Sequence, residues 1–137
     1  MKNQALKNAR ESIGIEAAAV GRMAPAVDLP EFSAAVEALA SCPRIATCAS
    51  GTSGIAAKKF AHSLCCIERG AMFVPPCEAV HGGLGTLGSG DVMVMVSRGG
   101  KTAELMPILP VIKKRGARLI GITENSNSAL AQASDIV

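Results

Sequence analysis

The chain has 137 residues, of which 49% are hydrophobic, and a formal net charge of +3. This length fits one domain, and the hydrophobic fraction excludes a disordered tail. With no Trp or Tyr and three Phe, the chain lacks the aromatic platforms on which single-stranded nucleic acids stack. The small, scattered positive charge favours small anionic ligands over DNA, so we expect no nucleic-acid partner.

The five cysteines are odd in number and have no CxxC spacing: Cys42, Cys48, Cys65, Cys66 and Cys77. They predict neither a disulfide framework nor a zinc site, and they favour a reducing, cytoplasmic compartment. Cys48 and Cys65 have apolar neighbours and are predicted to be small core residues. The N-terminal sequence lacks the apolar core of a signal peptide, and no apolar run approaches the ~20 residues that span a bilayer. We therefore expect no membrane association.

The first forty residues are predicted to be helical. One apolar stripe runs along a first helix at steps of three and four residues: Leu6, Ala9, Ile13, Ala17 and Val20. Asp28 is predicted to cap a second helix that has Pro30 in its first turn and ends near Pro43. We expect one domain, with N-terminal helices at residues 1–42 and an α/β core at residues 43–137.

Strand and helix patterns alternate from residue 44 onward. Apolar runs predict strands at residues 44–49, 71–74, 91–96 and 117–123, and the start of a fifth at 135–137. Helices are predicted at residues 55–70, 101–115 and 128–134, the second ending at Gly116. This alternation predicts a parallel sheet whose two faces are both covered. Because the fifth strand has barely begun at Val137, we expect the C-terminal end of the domain to be incomplete.

Two loops after predicted strands carry groups suited to an anion, at residues 50–54 and 97–104. Their glycines let a ligand approach the backbone, and their hydroxyls and helix-terminal N–H groups can hold a phosphate. The carboxyl ends of parallel strands are also where ligands bind in such sheets. Each loop alone could instead be an ordinary capped turn, with Ser53 capping the first helix and Thr102 and Glu104 stabilising the second. Neither loop has the Walker or the GxGxxG spacing.

Three segments carry a resemblance to a known family: GTSGIAAKKFAHSL, FVPPCEAVHGGLGTL and SGDVMVMVSRGGKTAELMPILPVIKKRGARLIGITENSNSALAQASDIV. They resemble the sugar isomerase (SIS) domain family, and within it the KpsF/GutQ group of arabinose 5-phosphate isomerases. EAVHGGLG is the most specific segment, since that group carries a nearly identical EAxHGDLG. The resemblance spans essentially the whole chain. It implies a three-layer α-β-α sandwich with a five-stranded parallel sheet, flavodoxin-like, with added N-terminal helices, assembled as a homo-oligomer (dimer or tetramer).

The resemblance also implies a phosphosugar as substrate, with its phosphate on the two loops. The residues expected to bind it are Ser50, Gly51, Thr52, Ser53, Ser97, Arg98, Gly100, Lys101 and Thr102. Glu104 matches a carboxylate of the isomerase site and His81 matches a histidine, although a structural loop histidine is the alternative at position 81. Aldose–ketose isomerisation through an enediol needs a base and an acid, which these two residues could supply. No metal and no organic cofactor are implied.

Three positions depart from the pattern of that group. Thr52 stands where the group usually has a lysine, Gly99 where it has a phosphate-binding serine, and Lys101 where it has an acid. Arg98 and Lys101 could restore the attraction for phosphate by charge. A further active-site histidine of the group lies beyond Val137.

Two functions therefore stay open. The first is an isomerase of arabinose 5-phosphate and ribulose 5-phosphate, in carbohydrate metabolism leading to Kdo and lipopolysaccharide or capsule. The second is a non-catalytic phosphosugar-binding regulatory module. A nucleotide-binding domain is a weaker third, because no acidic residue stands about 20 positions after a glycine-rich turn.

Overall fold

The computed structural model describes residues 2–137 and separates the chain into two compact units, Met1–Ser33 and Ala34–Val137. In the first unit, α1 spans Lys2–Gly21 and a 3₁₀ helix spans Ala24–Asp28. The predicted first helix is confirmed, but its apolar stripe is exposed rather than buried. Leu6, Ile13 and Val20 are 58%, 67% and 68% exposed.

Helix α2 spans Pro30–Ser41. The predicted N-cap at Asp28 is wrong, because Asp28 ends the preceding 3₁₀ helix and Pro30, with its fixed φ, starts α2. The other end of α2 is capped by a side chain that is distant in sequence. The Arg69 guanidinium donates to the carbonyl oxygens of Leu39 and Cys42 at 2.8 and 2.6 Å, which satisfies acceptors at the helix C-terminus.

Four parallel strands form the sheet of the second unit, in the order β2-β1-β3-β4. The strands are β1 (Ile45–Cys48), β2 (Ala71–Phe73), β3 (Val92–Val96) and β4 (Arg118–Ile122). The helices that follow α2 are α3 (Gly51–Cys66), α4 (Pro76–Val80), α5 (Ile108–Arg115) and α6 (Ala129–Ala133), with a 3₁₀ helix at Gly83–Thr86. Helix α4 and this 3₁₀ helix lie where the sequence predicted only a loop.

Both faces of the sheet are buried, because alternate residues of each strand point to opposite sides. On one face, Met93 and Met95 pack with Ile108 and Leu130 from α5 and α6. On the other face, the buried side chains come from the strands and from α2 and α3: Ile45, Val92, Val94 and Ile120 with Ala38 and Leu64. The predicted three-layer α-β-α arrangement is confirmed.

The sheet has four strands and a single bridge where five strands were predicted. Residues 135–137 pair with β4 only through the bridge between Ile120 and Ile136. The Asp135 carboxylate accepts the N–H of Leu119 at 2.7 Å, so a side chain uses a donor that a longer strand would pair with its backbone. The difference from the prediction is therefore local to this edge.

Helix α5 begins at Ile108 and not at Lys101 as the sequence pattern predicted. Pro107 and Pro110 explain the late start, since proline has no N–H to donate inside a helix and is tolerated only near its start. Residues 103–107 instead form turns, and the Leu105 N–H donates to the Thr102 carbonyl at 2.9 Å. The predicted stop at Gly116 is confirmed by its left-handed φ of 71°.

The two cysteines predicted to be core residues differ in their burial. Cys48 is fully buried in β1, but Cys65 is exposed, so that prediction is wrong. The buried face of α3 passes through Ala57, Ala61 and Leu64, and Cys65 stands about 100° around the helix from Leu64. Within residues 2–137, no helix is both long and apolar enough to cross a membrane.

Candidate functional site

The strand order reverses between β1 and β3, the two central strands. From β1 the chain crosses to β2 on one side, whereas from β3 it crosses to β4 on the other. The crevice at the carboxyl ends of β1 and β3 is therefore the expected ligand position of such a sheet. The loops at residues 50–54 and 97–104 leave the sheet at this edge.

The first loop starts the 16-residue helix α3 directly. Ser50 has extended backbone at the N-cap position, but its side chain makes no capping hydrogen bond with the described part of the chain. Gly51 has a φ of 58°, which favours glycine, and a Cβ at Gly54 would approach the Ala49 carbonyl oxygen to 2.8 Å. Since Ser53 lies inside the first turn of α3, the Ser53-capped turn is excluded. The N–H groups of this turn are available to an anion.

The second loop is organised around the hydroxyl of Ser97, which is buried. Its oxygen lies 2.8 Å from the Thr102 hydroxyl oxygen and accepts the Gly100 N–H at 3.1 Å. These bonds hold the turn closed and place two hydroxyls and a backbone N–H within one small region. Hydroxyls and N–H groups in such a cluster are the donors that a phosphate accepts from.

Gly100 connects this loop to the start of α6 through a close contact and a backbone hydrogen bond. Its φ is 65°, and a Cβ added there would collide with the side chain of Ser128. Ser128 is the N-cap of α6, and the Gly100 carbonyl accepts the Leu130 N–H at 3.0 Å. This position therefore requires glycine for both its conformation and its close contact.

Two charged residues of the second loop, Arg98 and Lys101, are exposed and do not line the crevice cavity. Arg98 is paired with Glu124, its Nε lying 2.9 Å from a carboxylate oxygen, and both side chains are exposed. The hydrogen bond and the negative charge of Glu124 raise the pKa of Arg98. Lys101 is exposed as well. Arg98 is thus engaged by a carboxylate rather than directed alone at the crevice.

A cavity of about 420 Å³ opens at the crevice, between the start of α3 and the end of β2. Three of the residues predicted for the site line it, namely Ser50, Gly51 and Glu104. The other predicted site residues are not part of its lining: Thr52, Ser53, His81, Ser97, Arg98, Gly100, Lys101 and Thr102. The cavity therefore joins the loop after β1 to Glu104, with the hydroxyl cluster of the second loop outside it.

Sequence reasoning missed most of the cavity wall. The residues it missed are Ala49, Gly54, Ile55, Lys58, Phe73, Pro75, Pro76 and Cys77. Two features of the sequence could have identified some of these residues. Pro75 and Pro76 follow a strand at the same edge of the sheet, and Lys58 follows Gly51 by seven residues, which is two helical turns along one face.

His81 lies at the C-terminal end of α4, where its N–H donates to the Glu78 carbonyl at 3.1 Å. This residue is exposed, and its side chain does not line the cavity that Glu104 lines. The two residues expected to act as base and acid are therefore not brought together in this cavity within one chain.

Two cysteines border the site. Burial raises the pKa of the Cys48 thiol to about 12, with a smaller contribution from Cys77. Cys48 is a neutral thiol at the end of β1, whereas Cys77 is exposed and lines the cavity. No cluster of three His, Cys, Asp or Glu side chains among residues 2–137 could hold a metal ion.

The arrangement combines three chemical elements. The helix terminus and hydroxyl cluster can bind an anion, Glu104 can accept a proton, and Lys58 brings a positive charge to the same cavity as Glu104. The remaining wall is mostly apolar and can cover the carbon skeleton of a small ligand.

Comparison with known proteins agrees with this geometry. Arabinose 5-phosphate isomerase KdsD of Pseudomonas aeruginosa is 34% identical to the chain over 131 residues. The match covers 96% of this chain and 40% of that protein, so the chain spans well under half of the relative's length.

Solved structures show the same fold. A protein of Escherichia coli CFT073, c3406, solved in complex with A5P, is 35% identical, with a TM-score of 0.76 over 85% of this chain and 64% of that one. A Listeria monocytogenes protein described as a candidate sugar-phosphate isomerase is 45% identical, with a TM-score of 0.75 over 78% of this chain and 56% of that one. The SIS domain family matches residues 38–137, which include every strand and both loops. The chain belongs to the SIS domain family.

Proposed function

We propose that this protein is a phosphosugar aldose–ketose isomerase that interconverts D-arabinose 5-phosphate and D-ribulose 5-phosphate. The observation that carries the proposal is that Glu104 lines the same cavity as Ser50 and Gly51, at the N-terminal turn of α3. A carboxylate that can move a proton thus lies beside backbone groups suited to a phosphate.

The phosphate binds between the start of α3 and the second loop. The first turn of α3 offers backbone N–H groups and the Ser53 hydroxyl, and the second loop offers the hydroxyls of Ser97 and Thr102. Anions bind favourably at helix N-termini because the N–H groups there lack partners and the helix dipole is positive. This end of the substrate takes no part in the chemistry and positions the sugar.

Glu104 acts as the base. Its carboxylate takes the proton from C2 of the aldose, the C–H electron pair forms the C1–C2 double bond of an enediol, and the π pair of the C1 carbonyl moves onto the C1 oxygen. The proton is then returned to C1, while the C1 oxygen gains a proton and the C2 oxygen loses one. The product is the ketose, with no oxidant or reductant consumed.

His81 is proposed as the acid, and a homo-oligomer is proposed to bring it to the site. His81 is exposed and outside the cavity of its own chain, which supports a role across an interface with a second copy. A dimer or tetramer is therefore part of the proposal. Sedimentation velocity of the purified protein tests it, since a monomer at all concentrations contradicts it.

Relatives support the substrate choice. The Pseudomonas protein is an arabinose 5-phosphate isomerase, and the Escherichia coli protein was solved with A5P. A place in carbohydrate metabolism leading to Kdo and lipopolysaccharide or capsule follows from the same likeness.

The cysteines support a cytoplasmic location, because all five are free thiols.

A non-catalytic phosphosugar-binding regulatory module is the second candidate function. The position of His81 outside the cavity favours it, because the chain then has a binding site and one acid–base residue rather than two. The mutual hydrogen bond of Ser97 and Thr102 is compatible with either function.

NMR of the purified protein with ribulose 5-phosphate in D₂O separates the two functions. An aldose signal, or deuterium at C1 or C2, is expected from the isomerase. Saturation transfer to bound sugar without exchange indicates the binding module instead. Unphosphorylated ribulose serves as the control and should show neither effect, because it lacks the group that the two loops hold.

A further inference from the structure

We infer that Lys58 binds the sugar oxygen that becomes negative during isomerisation, and that it stabilises the enediolate. This inference rests on the proposed function. Lys58 and Glu104 are the charged side chains in the cavity lining, as far as the structure describes it. The cavity thus presents one group that removes a proton and one cation that can hold the charge left behind.

The position of Lys58 on α3 directs it to this cavity. Gly51, Gly54, Ile55 and Lys58 follow the i, i+3, i+4, i+7 pattern of one helix face, and all four line the cavity. Lys58 therefore lies on the face of α3 that borders the cavity, two turns from Gly51.

Lys59, the next residue along α3, has a different position and a different hydrogen-bond partner. Lys59 stands about 100° around the helix, and its ammonium nitrogen lies 2.8 Å from the Ser63 hydroxyl, one turn toward the C-terminus of α3. Lys59 is not part of the cavity lining. Two adjacent lysines on one helix therefore provide a test residue and a matched control.

The chemistry favours a cation at this position. When Glu104 removes the proton next to the carbonyl group, the C–H pair forms a carbon–carbon double bond and the carbonyl π pair moves onto the carbonyl oxygen, which becomes negative. Apart from Lys58, the donors that the cavity presents are neutral, such as the Ser50 hydroxyl and the Cys77 thiol. Much of the wall is apolar, including Ile55 and Phe73, and a charge interaction is stronger beside apolar walls than in water.

The phosphate does not need Lys58. The N-terminal turn of α3 and the Ser97–Thr102 cluster already offer N–H and O–H donors to it. Lys58 lies two turns along α3 from Gly51, so its place is beside the sugar rather than at the helix terminus. In the step itself its ammonium donates a hydrogen bond and keeps its proton, and Glu104 carries the proton that moves.

The test compares two ligands by calorimetry. The hydroxamic acid 4-phosphoerythronohydroxamate has the paired oxygens of the enediolate and carries its charge once ionised, whereas arabinitol 5-phosphate has a neutral alcohol at that end. Lys58→Met should weaken binding of the hydroxamate about 10²-fold, the usual cost of one oxyanion donor, and arabinitol 5-phosphate by less than about 3-fold. Its kcat should fall by about 10²-fold with KM nearly unchanged. Lys58→Arg should recover part of the hydroxamate affinity, since it keeps the charge.

Lys59→Met is the control and should match the wild type with both ligands, and thermal melts should show that all variants are folded. An equal loss for the two ligands in Lys58→Met would mean that Lys58 anchors the phosphate, which overturns the inference. Unchanged hydroxamate affinity overturns it as well. A wild-type protein that binds neither ligand and exchanges no proton contradicts the proposed function itself, which is a distinct result.

Discussion

The hydroxyl oxygens of Ser97 and Thr102 lie 2.8 Å apart at the carboxyl end of β3, and the Gly100 N–H donates to the Ser97 oxygen at 3.1 Å. One hydroxyl donates to the other, so the pair behaves as a unit and not as two separate groups. Removing either oxygen takes one hydrogen bond from its partner in a half-buried place, and that lost bond adds its own free-energy cost. Their effects on ligand affinity should therefore be coupled.

The double variant Ser97→Ala with Thr102→Ala should lose affinity for arabinose 5-phosphate by roughly 10²–10⁴-fold, because hydrogen bonds to a charged group contribute about 1.5–3 kcal/mol each. Each single variant should lose more than half of that free energy, as expected for coupled groups. Calorimetric titration of the four proteins measures this. Thr86→Ala, whose hydroxyl donates to the Gly83 carbonyl elsewhere in the chain, is the control. An equal loss for unphosphorylated arabinose would rule out a phosphate-specific role.

Gly100→Ala should lower the free energy of unfolding by roughly 1–3 kcal/mol, the cost of a left-handed conformation in a non-glycine residue. The collision of its Cβ with Ser128 adds to this cost. Urea unfolding measures the change through the midpoint. Gly99→Ala is the matched control, because a Cβ there meets no atom within 4 Å and its φ is not positive. Equal stability of the two variants would show that the loop does not require Gly100.

Glu104→Gln should abolish proton exchange at C1 and C2 of ribulose 5-phosphate, by about 10²–10⁴-fold, while phosphosugar affinity stays within a few fold. The amide keeps the shape and hydrogen bonding of the side chain but cannot accept a proton. Deuterium incorporation and calorimetry give the two readouts. Glu37→Gln, on α2, should behave like the wild type. Undiminished exchange in Glu104→Gln would exclude Glu104 as the base.

Cys48 should make the protein less stable in alkaline solution. Burial raises its pKa from 9.0 to about 12, so the folded chain holds this proton more tightly than the unfolded chain does. The stabilisation is complete below pH 9 and is lost progressively as pH rises to about 12, because the unfolded thiol ionises first. Urea unfolding at about pH 8 and about pH 10, on either side of the ordinary thiol pKa, measures the loss.

Cys48→Ala removes this proton linkage, so its stability should fall less over the same pH interval than that of the wild type. The chain has no Tyr, which leaves fewer competing groups in that range. At about pH 8, Ellman's reagent should modify the exposed Cys65, Cys66 and Cys77 quickly and the buried Cys42 and Cys48 only after unfolding. Fast modification of all five thiols would contradict the burial of Cys48.

Much of the fold could be predicted because its signals are local. A short apolar run indicates a strand, and a glycine such as Gly116 indicates a helix stop, each within a few residues. Local signals gave a wrong prediction in two places. Helix α5 starts later than predicted because of Pro107 and Pro110, and residues 135–137 form one bridge rather than a strand. The exposure of Cys65 depends on helix phase, which its apolar neighbours did not reveal.

The sequence by itself determined the alternation of strands and helices, the two glycine- and hydroxyl-rich loops, and the family to which they point. Only the tertiary structure decided which of these groups meet. The order β2-β1-β3-β4 places the loops of β1 and β3 side by side, so that Lys58 and Glu104 line one cavity although they are distant in sequence. It also pairs Arg98 with Glu124 and leaves His81 outside the cavity. The physical reason is that helix and strand patterns depend on neighbours within one or two turns, whereas a cavity depends on how distant strands pair.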